Sequence, residues 1–323
     1  MKAVLSTAPG GPETLTVADL PDPSPGPGEA IVRVRAVGLN FFDTLIIADR
    51  YQVKPERPFS PGGECAGIVE ALGDGVTSWR AGDRVSAFLG FGGCRERVVV
   101  PANRLLRVPD GVSDEDAAGL TVTGGTALHA LRDRAELRPG ESLAVLGAAG
   151  GTGLAAVEIG RLLGARVIAC ASSEDKLALA RAHGADDLLN YAAEDLKDGL
   201  RRLTGGRGVD VVFDPVGGDL SEPAIRAMAW AGRYLVVGFT AGIPKIPLNL
   251  VLLKGCDLRG VFWGAWAERE PAAFSAGMAD LLSHVAAGRL TVPIDRVVPL
   301  EDTAEALAAL ARREAKGKLI VRP

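Results

Sequence analysis

Three glycines at three-residue spacing, Gly147, Gly150 and Gly153, separate a short apolar run, Leu143–Leu146, from a segment of helical character. A strand that turns directly into a helix needs residues without a Cβ, as does a backbone lying close against a pyrophosphate. The first N–H groups of such a helix face that pyrophosphate, and the helix dipole favours its charge. Ala149, Gly151 and Thr152 complete the turn and join the glycines as candidate cofactor contacts. The next buried-strand run, Arg166–Cys170, closes a βαβ unit of about thirty residues, the size of a dinucleotide-binding unit. The spacing is G-x-x-G-x-x-G, not the common G-x-G-x-x-G, so the context carries the assignment.

The residues just after the second strand choose between two dinucleotides. An NAD site places an acidic residue there to accept from the ribose 2′-hydroxyl. This sequence has Cys170-Ala171-Ser172-Ser173, with Lys176 one turn into the next helix. Two hydroxyls and an ammonium suit a 2′-phosphate, which wants donors and positive charge. Glu174 and Asp175 come later and read as first-turn residues that offset the helix dipole. The expected cofactor is NADPH.

The elements that must position this site divide the sequence in two. Up to about residue 120 it is rich in glycine and proline, with short β-like runs at Lys2–Leu5, Ala30–Gly38, Glu64–Leu72, Arg84–Ala87 and Glu96–Val100. Such closely punctuated strands suggest a partly closed barrel. Ser113-Asp114-Glu115-Asp116 reads as a helix start. From Leu143 strands alternate with helices: further strands are expected at Asp187–Asn190, Val209–Phe213, Arg233–Val237 and Leu258–Val261. Helices are expected at Lys176–His183, Glu194–Leu203 and Ser221–Trp230. Six strands with helical crossovers make a doubly wound parallel sheet. A helix over Pro271–Ala287, another over Leu300–Leu310 and a strand at Lys318–Val321 are expected to return to the first domain. The expected fold class is therefore α/β, with domains at 1–120 completed by 264–323, and at 121–263.

At 323 residues the chain is long enough for two ordinary domains, and 47% hydrophobic with 24% charged residues is a globular composition. A net charge of −4 argues against nucleic-acid binding. No apolar run approaches a membrane span, and the first residues lack a signal-peptide core, so no membrane partner and a cytoplasmic location are expected. Cys65, Cys94, Cys170 and Cys256 are scattered, with no C-x-x-C pair, and His129, His183 and His284 show no ligand spacing. No metal site is expected.

With these features in place, the sequence resembles the medium-chain dehydrogenase/reductases, and among them the zinc-independent quinone oxidoreductases of the zeta-crystallin-like branch. The motifs that carry the resemblance are GLNFFDTLIIADRY at Gly38–Tyr51, PGGECAGIVEALGDGV at Pro61–Val76 and AAGLTVTGGTALHAL at Ala117–Leu131. GAAGGTGLAAVEI, GADDLLNY, VDVVFDPVGG, GRYLVVGF and GKLIV come after them in order. The resemblance implies a GroES-like β-barrel catalytic domain, a Rossmann NADP(H)-binding domain and a homodimer. It also implies that Asn40 and Gly63 stand about where the zinc alcohol dehydrogenases carry a cysteine and a histidine ligand. Without a Lewis acid, reduction of a quinone or another conjugated (α,β-unsaturated) carbonyl compound is the expected chemistry, since such an electrophile delocalises the incoming charge itself.

On the same resemblance Asn40 and Tyr51 are the candidate catalytic residues. The Asn40 amide would donate to the substrate oxygen or touch the nicotinamide ribose, and Tyr51 would line the nicotinamide pocket. The branch often carries a further tyrosine where this sequence has Leu45. Thr126 is placed at the start of an interdomain helix, facing a phosphate or the carboxamide. Tyr191 joins Ser172, Ser173 and Lys176 around the 2′-phosphate. Gly238, Phe239, Thr240, Phe262 and Trp263, at strand ends, would hold the nicotinamide. Lys318 would reach a cofactor phosphate. The partner is a small-molecule electron acceptor. Two rivals are an enoyl-thioester (acrylyl-CoA-like) reductase, with Arg50, Lys54 and Arg57 on the CoA phosphates, and a non-catalytic NADPH-binding sensor or structural protein.

Overall fold

The structure is a computed structural model that describes all 323 residues. The chain divides into two compact units, Met1–Val122 together with Glu270–Pro323, and Thr123–Arg269. No helix is long and apolar enough to cross a membrane.

The first unit is built on a mainly antiparallel seven-stranded sheet. In spatial order its strands are Ile294–Pro299, Lys318–Arg322, Glu29–Leu39, Glu64–Leu72, Arg84–Phe88 and Leu106–Arg107, with Arg97–Pro101 also paired to Glu29–Leu39. The long central strand shows why it forms: Val32, Val34 and Ala36 are buried while Arg33 and Arg35 between them are exposed, the two-residue period of a half-covered sheet. The C-terminal strand is apolar on both faces, and Leu319, Ile320 and Val321 pair antiparallel with Leu39, Gly38 and Val37. Helix Thr303–Ala311 packs Ala306 and Leu307 onto the same core, which also takes in Ile46 and Ile47 from the short helix Phe41–Ile47.

The second unit is a six-stranded, wholly parallel sheet. Its spatial order is Asp187–Asn190, Arg166–Ala171, Ser142–Leu146, Val209–Asp214, Met228–Val236 and Asp257–Gly260. In sequence terms that is 3-2-1-4-5-6, the doubly wound dinucleotide-binding order. The strands buried on both faces are nearly continuous hydrophobic runs, as in Leu143–Leu146, where every residue is fully buried.

Several elements differ from expectation at their ends. The helix expected over Ser221–Trp230 stops at Arg226, and Met228 already pairs with Val209. Between that pair and Arg233↔Val211, four residues, 229–232, bulge against one. Ala231 takes φ +59° in the bulge, and Trp230 stands 77% exposed at its tip. Helix Glu174–Ala182 begins two residues before Lys176, and Leu196–Leu203 begins two after Glu194, where Asp195 caps the Asp198 N–H at 2.9 Å. The segment 300–302 is a 3₁₀ turn ahead of the α-helix. Strands Leu15–Asp19 and Ile294–Pro299 and helices Phe41–Ile47, Leu248–Lys254 and Trp263–Arg269 lack a clear periodic signal and emerge only in the structure.

Candidate functional site

Ser142–Leu146 and Val209–Asp214 lie side by side where the strand order reverses, and a doubly wound sheet binds ligands beyond the carboxyl ends of such a pair. Gly147 leaves the first strand at φ +62°, which favours glycine, and a Cβ there would lie 2.8 Å from the Val216 side chain. Gly153 has an ordinary backbone but no room: a Cβ would run into the Gly147 carbonyl and sit 2.9 Å from Ala148 Cα. Gly150 is the extended N-cap of helix Gly151–Leu162 and has space around it, so sterics do not demand glycine there. It has no side chain to cap the helix. The N–H groups of Gly151, Thr152 and Gly153, in the first turn, therefore lack a side-chain cap, and helix geometry gives them no intrahelical acceptor. Ala148 and Ala149 are buried in the turn.

Next to this turn, Ser172 and Ser173 come directly after strand Arg166–Ala171, and Tyr191 directly after strand Asp187–Asn190. The Tyr191 N–H donates to Ala171 O at 3.1 Å, which brings the two strand ends together. Lys176 lies on the first turn of the next helix with its Nζ 3.5 Å from Ser172 Oγ. Ser173 is the N-cap but makes no side-chain cap bond. Glu174 Oε1 accepts from Asn190 Nδ2 at 2.7 Å. The structure thus gathers Ser172, Lys176 and the end of the neighbouring strand, with Glu174 bonded to the last residue of that strand.

The far side of the switch point is laced by backbone bonds. The Asp214 carboxylate, 2% exposed, accepts from Val216 N, Gly217 N, Ser221 Oγ and the Tyr234 hydroxyl. Burial and the adjacent carboxylate push the Tyr234 phenol up. Gly238 N donates to Asp214 O, and Thr240 Oγ1 lies 3.4 Å from Pro215 O, so the loops after the fourth and fifth strands are tied together. Phe239 and Phe262 are 44% and 53% exposed, while Trp263 is buried at the start of helix Trp263–Arg269. The Trp263 indole occupies the space where a Cβ on Gly125 would stand. Thr126 sits near the C-terminal end of helix Asp114–Leu128, not at a helix start, because the helix begins at the acidic turn and continues through Gly124-Gly125.

In the first unit a polar cluster is sealed in the core. Glu64 is fully buried and Lys318 is 3% exposed. Lys318 Nζ donates to Glu64 Oε1 at 2.6 Å, Asn40 Oδ1 at 2.8 Å and Leu39 O at 2.9 Å. Glu64 Oε1 also accepts from Asn40 Nδ2 at 2.9 Å, and its Oε2 from Val122 N at 2.6 Å. The expectation that Lys318 reaches a cofactor phosphate is corrected here: an ammonium has three donors, and all three are taken. Asp43 accepts from Asn40 N at 2.8 Å and Gly62 N at 3.0 Å; burial, outweighing those bonds, pushes its carboxyl up to about 7. Tyr51 stacks on Phe42 with centroids 5.6 Å apart, and burial raises its phenol above the ordinary range.

Sequence reasoning missed Glu64 as a partner of Asn40. The available signal was a carboxylate in a strand of small and apolar residues, which has to find a cation or several donors once buried. Of the residues proposed for CoA phosphates, Arg57 directs its Nη2 to Asp49 Oδ1 and Ile47 O, while Arg50 and Lys54 are exposed. No group of three or more His, Cys, Asp or Glu side chains is gathered as a metal site. The donor set around Asn40 and Gly63 does not fit a divalent cation, since Glu64, the carboxylate bonded to Asn40, already faces an ammonium.

Comparison with known proteins places this geometry. Residues 26–110 match the family model described as alcohol dehydrogenase GroES-like domain, and residues 151–283 the one described as zinc-binding dehydrogenase. The chain is 37% identical to quinone oxidoreductase-like protein 2 of Rattus norvegicus, over 96% of this chain and 89% of that one. It is 32% identical to 2-haloacrylate reductase of a Burkholderia species, over 97% and 96%. The solved structure of Escherichia coli quinone oxidoreductase complexed with NADPH superimposes with a TM-score of 0.93 at 29% identity, each chain covered completely. On sequence, strand order and structural likeness together, the chain belongs to the medium-chain dehydrogenase/reductase family, in its quinone oxidoreductase branch.

Proposed function

We propose that the protein is an NADPH-dependent reductase of quinones or other conjugated carbonyl compounds that works without zinc. The observation that carries the cofactor reading is Lys176 Nζ against Ser172 Oγ at the end of the second strand. Bound NADPH would supply the hydride, and its loss with one proton from solvent or a side chain reduces the acceptor by two electrons. Gly147, Ala149, Gly150, Gly151, Thr152 and Gly153 line the pyrophosphate, with the first-turn N–H groups of Gly151, Thr152 and Gly153 as its donors at a helix N-terminus. Ser172, Ser173, Lys176 and Tyr191 take the 2′-phosphate, and Thr126, Gly238, Phe239, Thr240, Phe262 and Trp263 bound the nicotinamide. Tyr51, stacked on Phe42, carries a phenol O–H that could hydrogen-bond the acceptor; burial raises its pKa, which makes it a weak acid and leaves solvent as the other source of the proton.

The zinc-free reading is supported by the chemistry of the donors. Glu64 is neutralised by Lys318 within the fold, so a divalent cation there would have to displace a buried ammonium. The homodimer reading is supported by the open edge of the parallel sheet, Asp257–Gly260. Around that edge Trp230, Leu248, Leu252, Leu253 and Leu258 are 38–79% exposed, a large apolar surface for a lone subunit.

NADPH consumption measured against a panel of quinones, enones and enoyl-CoA thioesters tests the reading. Turnover with quinones or simple enones supports it. Turnover confined to the thioesters moves the assignment to an enoyl-CoA reductase, and tight NADPH binding without consumption by any acceptor removes the catalytic role.

A further inference from the structure

Burial strips a guanidinium of its hydration, so an arginine drawn into a fold is ordinarily paired with a carboxylate or fully hydrogen-bonded. Arg95, two residues ahead of strand Arg97–Pro101, is half-buried and is neither. Of its five side-chain N–H groups one has a protein acceptor: Nη2 donates to Ser60 Oγ at 3.0 Å, while Nε is buried without a partner. No carboxylate is bonded to it, since the adjacent Glu96 accepts instead from Lys2 N at 2.7 Å. Burial accordingly draws the Arg95 guanidinium below its ordinary range.

Arg95 opens onto a cavity of about 300 Å³ that lies wholly within the first unit. Phe88, Leu89, Phe91 and Val99 are among its apolar walls, and its charged lining residues are all arginines, Arg95, Arg97 and Arg104. That is the reverse of the chain as a whole, in which 40 acids outnumber 36 bases. Arg97 is already met by Glu70 and Asp22, and Arg104 is exposed. Phe91 is braced edge-on against buried Phe59, with centroids 5.8 Å apart. Ser60, which takes the Arg95 bond through its side chain, accepts from Gly92 N at 2.7 Å through its carbonyl, so one residue ties both walls in place. None of the residues assigned to the cofactor or to catalysis lines this cavity.

We propose that the cavity is a binding site for a small carboxylate with an apolar body, its carboxylate paired with Arg95 and its body lying against Phe91 and the neighbouring apolar walls. A guanidinium presents a planar fork of N–H donors that matches a carboxylate two bonds at a time. One unpaired, half-buried cation answers one negative charge, and the apolar walls give nothing back to a strongly hydrated dianion such as inorganic phosphate. Arg104, out in solvent, adds little. The volume stands at the lower end of small-molecule sites and suits a single aromatic ring on a short chain.

Isothermal titration of the full chain with phenylacetate, its uncharged analogue phenylacetamide and inorganic phosphate tests this. Phenylacetate is expected to bind once per chain and roughly 10- to 100-fold more tightly than the amide, the span of charge-assisted hydrogen bonds. Phosphate is expected to bind about 10-fold more weakly than phenylacetate or worse. Arg95→Gln should erase the advantage of the acid while moving amide affinity less than about 2-fold. Arg104→Gln should cost the acid less than about 3-fold. Phe91→Ala, at a side chain 37% exposed, should weaken acid and amide alike by roughly 3- to 10-fold. Absence of phenylacetate binding, equal affinities for acid and amide, or wild-type acid binding in Arg95→Gln overturns the proposal. Phosphate binding more tightly than phenylacetate overturns the carboxylate class. Should Arg95→Gln fail to fold, wild-type acid binding in Phe91→Ala overturns the site on its own.

Discussion

Lys318 and Glu64 form an ion pair at 2.6 Å, Nζ to Oε1, in which one side chain is 3% exposed and the other not at all. Each group alone would carry an uncompensated charge into the core. Glu64→Gln and Lys318→Met made singly are each expected to cost about 3–5 kcal/mol of stability, the range for breaking a buried pair from one side. Denaturant unfolding checks this, and a loss under about 1 kcal/mol in either variant would mean that the pair is not desolvated.

The 2′-phosphate site gives the second prediction. Lys176→Glu replaces a donor cation with an anion, and is expected to weaken NADPH roughly 10- to 100-fold, in line with charge-assisted hydrogen bonds. NADH affinity should change little. Parallel titrations of both cofactors decide it, and equal losses would remove Lys176 from the 2′-phosphate.

Gly153 gives the third. Its Cβ would collide with the Gly147 carbonyl and Ala148, both backbone, so neither can swing aside. Gly153→Ala is expected to cost about 1–3 kcal/mol and to weaken NADPH by moving the turn. Gly150→Ala, where the nearest atom is Gly147 O at 3.6 Å, should cost less in stability. Thermal unfolding of the pair of variants is the check, and the opposite ranking would contradict the assignment of roles in the turn.

These positions show how much the residues disclosed on their own. The strand–turn–helix at Leu143–Leu162 and the alternation after it were readable because local apolar patterning and long-range pairing there agree. The bulge at Trp230 was not, since residues 221–230 carry helix-compatible spacing and only the pairing of Met228 with Val209 ends the helix early. Asn40 could be singled out by its place in a loop motif, but its partners could not, because Glu64 and Lys318 lie 24 and 278 residues away. Lys318 was expected to reach a cofactor phosphate because nothing local says that Leu39, Asn40 and Glu64 will take its three donors.

Asp43 provides a pH prediction. Its carboxyl is at about 7 in the folded protein, above the roughly 4 of an unfolded chain, because burial disfavours the charge. Between those values the folded state holds the extra proton, so this group's contribution to stability falls as pH rises from about 4 to about 7 and is flat above. Comparing the wild-type protein with Asp43→Asn across that range isolates it. The wild type should lose stability relative to the variant as pH rises; a constant difference would show that the two N–H donors, not burial, set the carboxyl's affinity for its proton.

The most direct test of the central claim is the initial rate of NADPH oxidation by a simple quinone and a simple enone, with and without prior chelator treatment. NADH is run in parallel. A metal-free NADPH reductase should turn over at least one of these acceptors, consume one NADPH per two-electron reduction, prefer NADPH markedly over NADH, and lose nothing after chelation. No oxidation with any conjugated carbonyl, or activity that chelation abolishes and zinc restores, would contradict it.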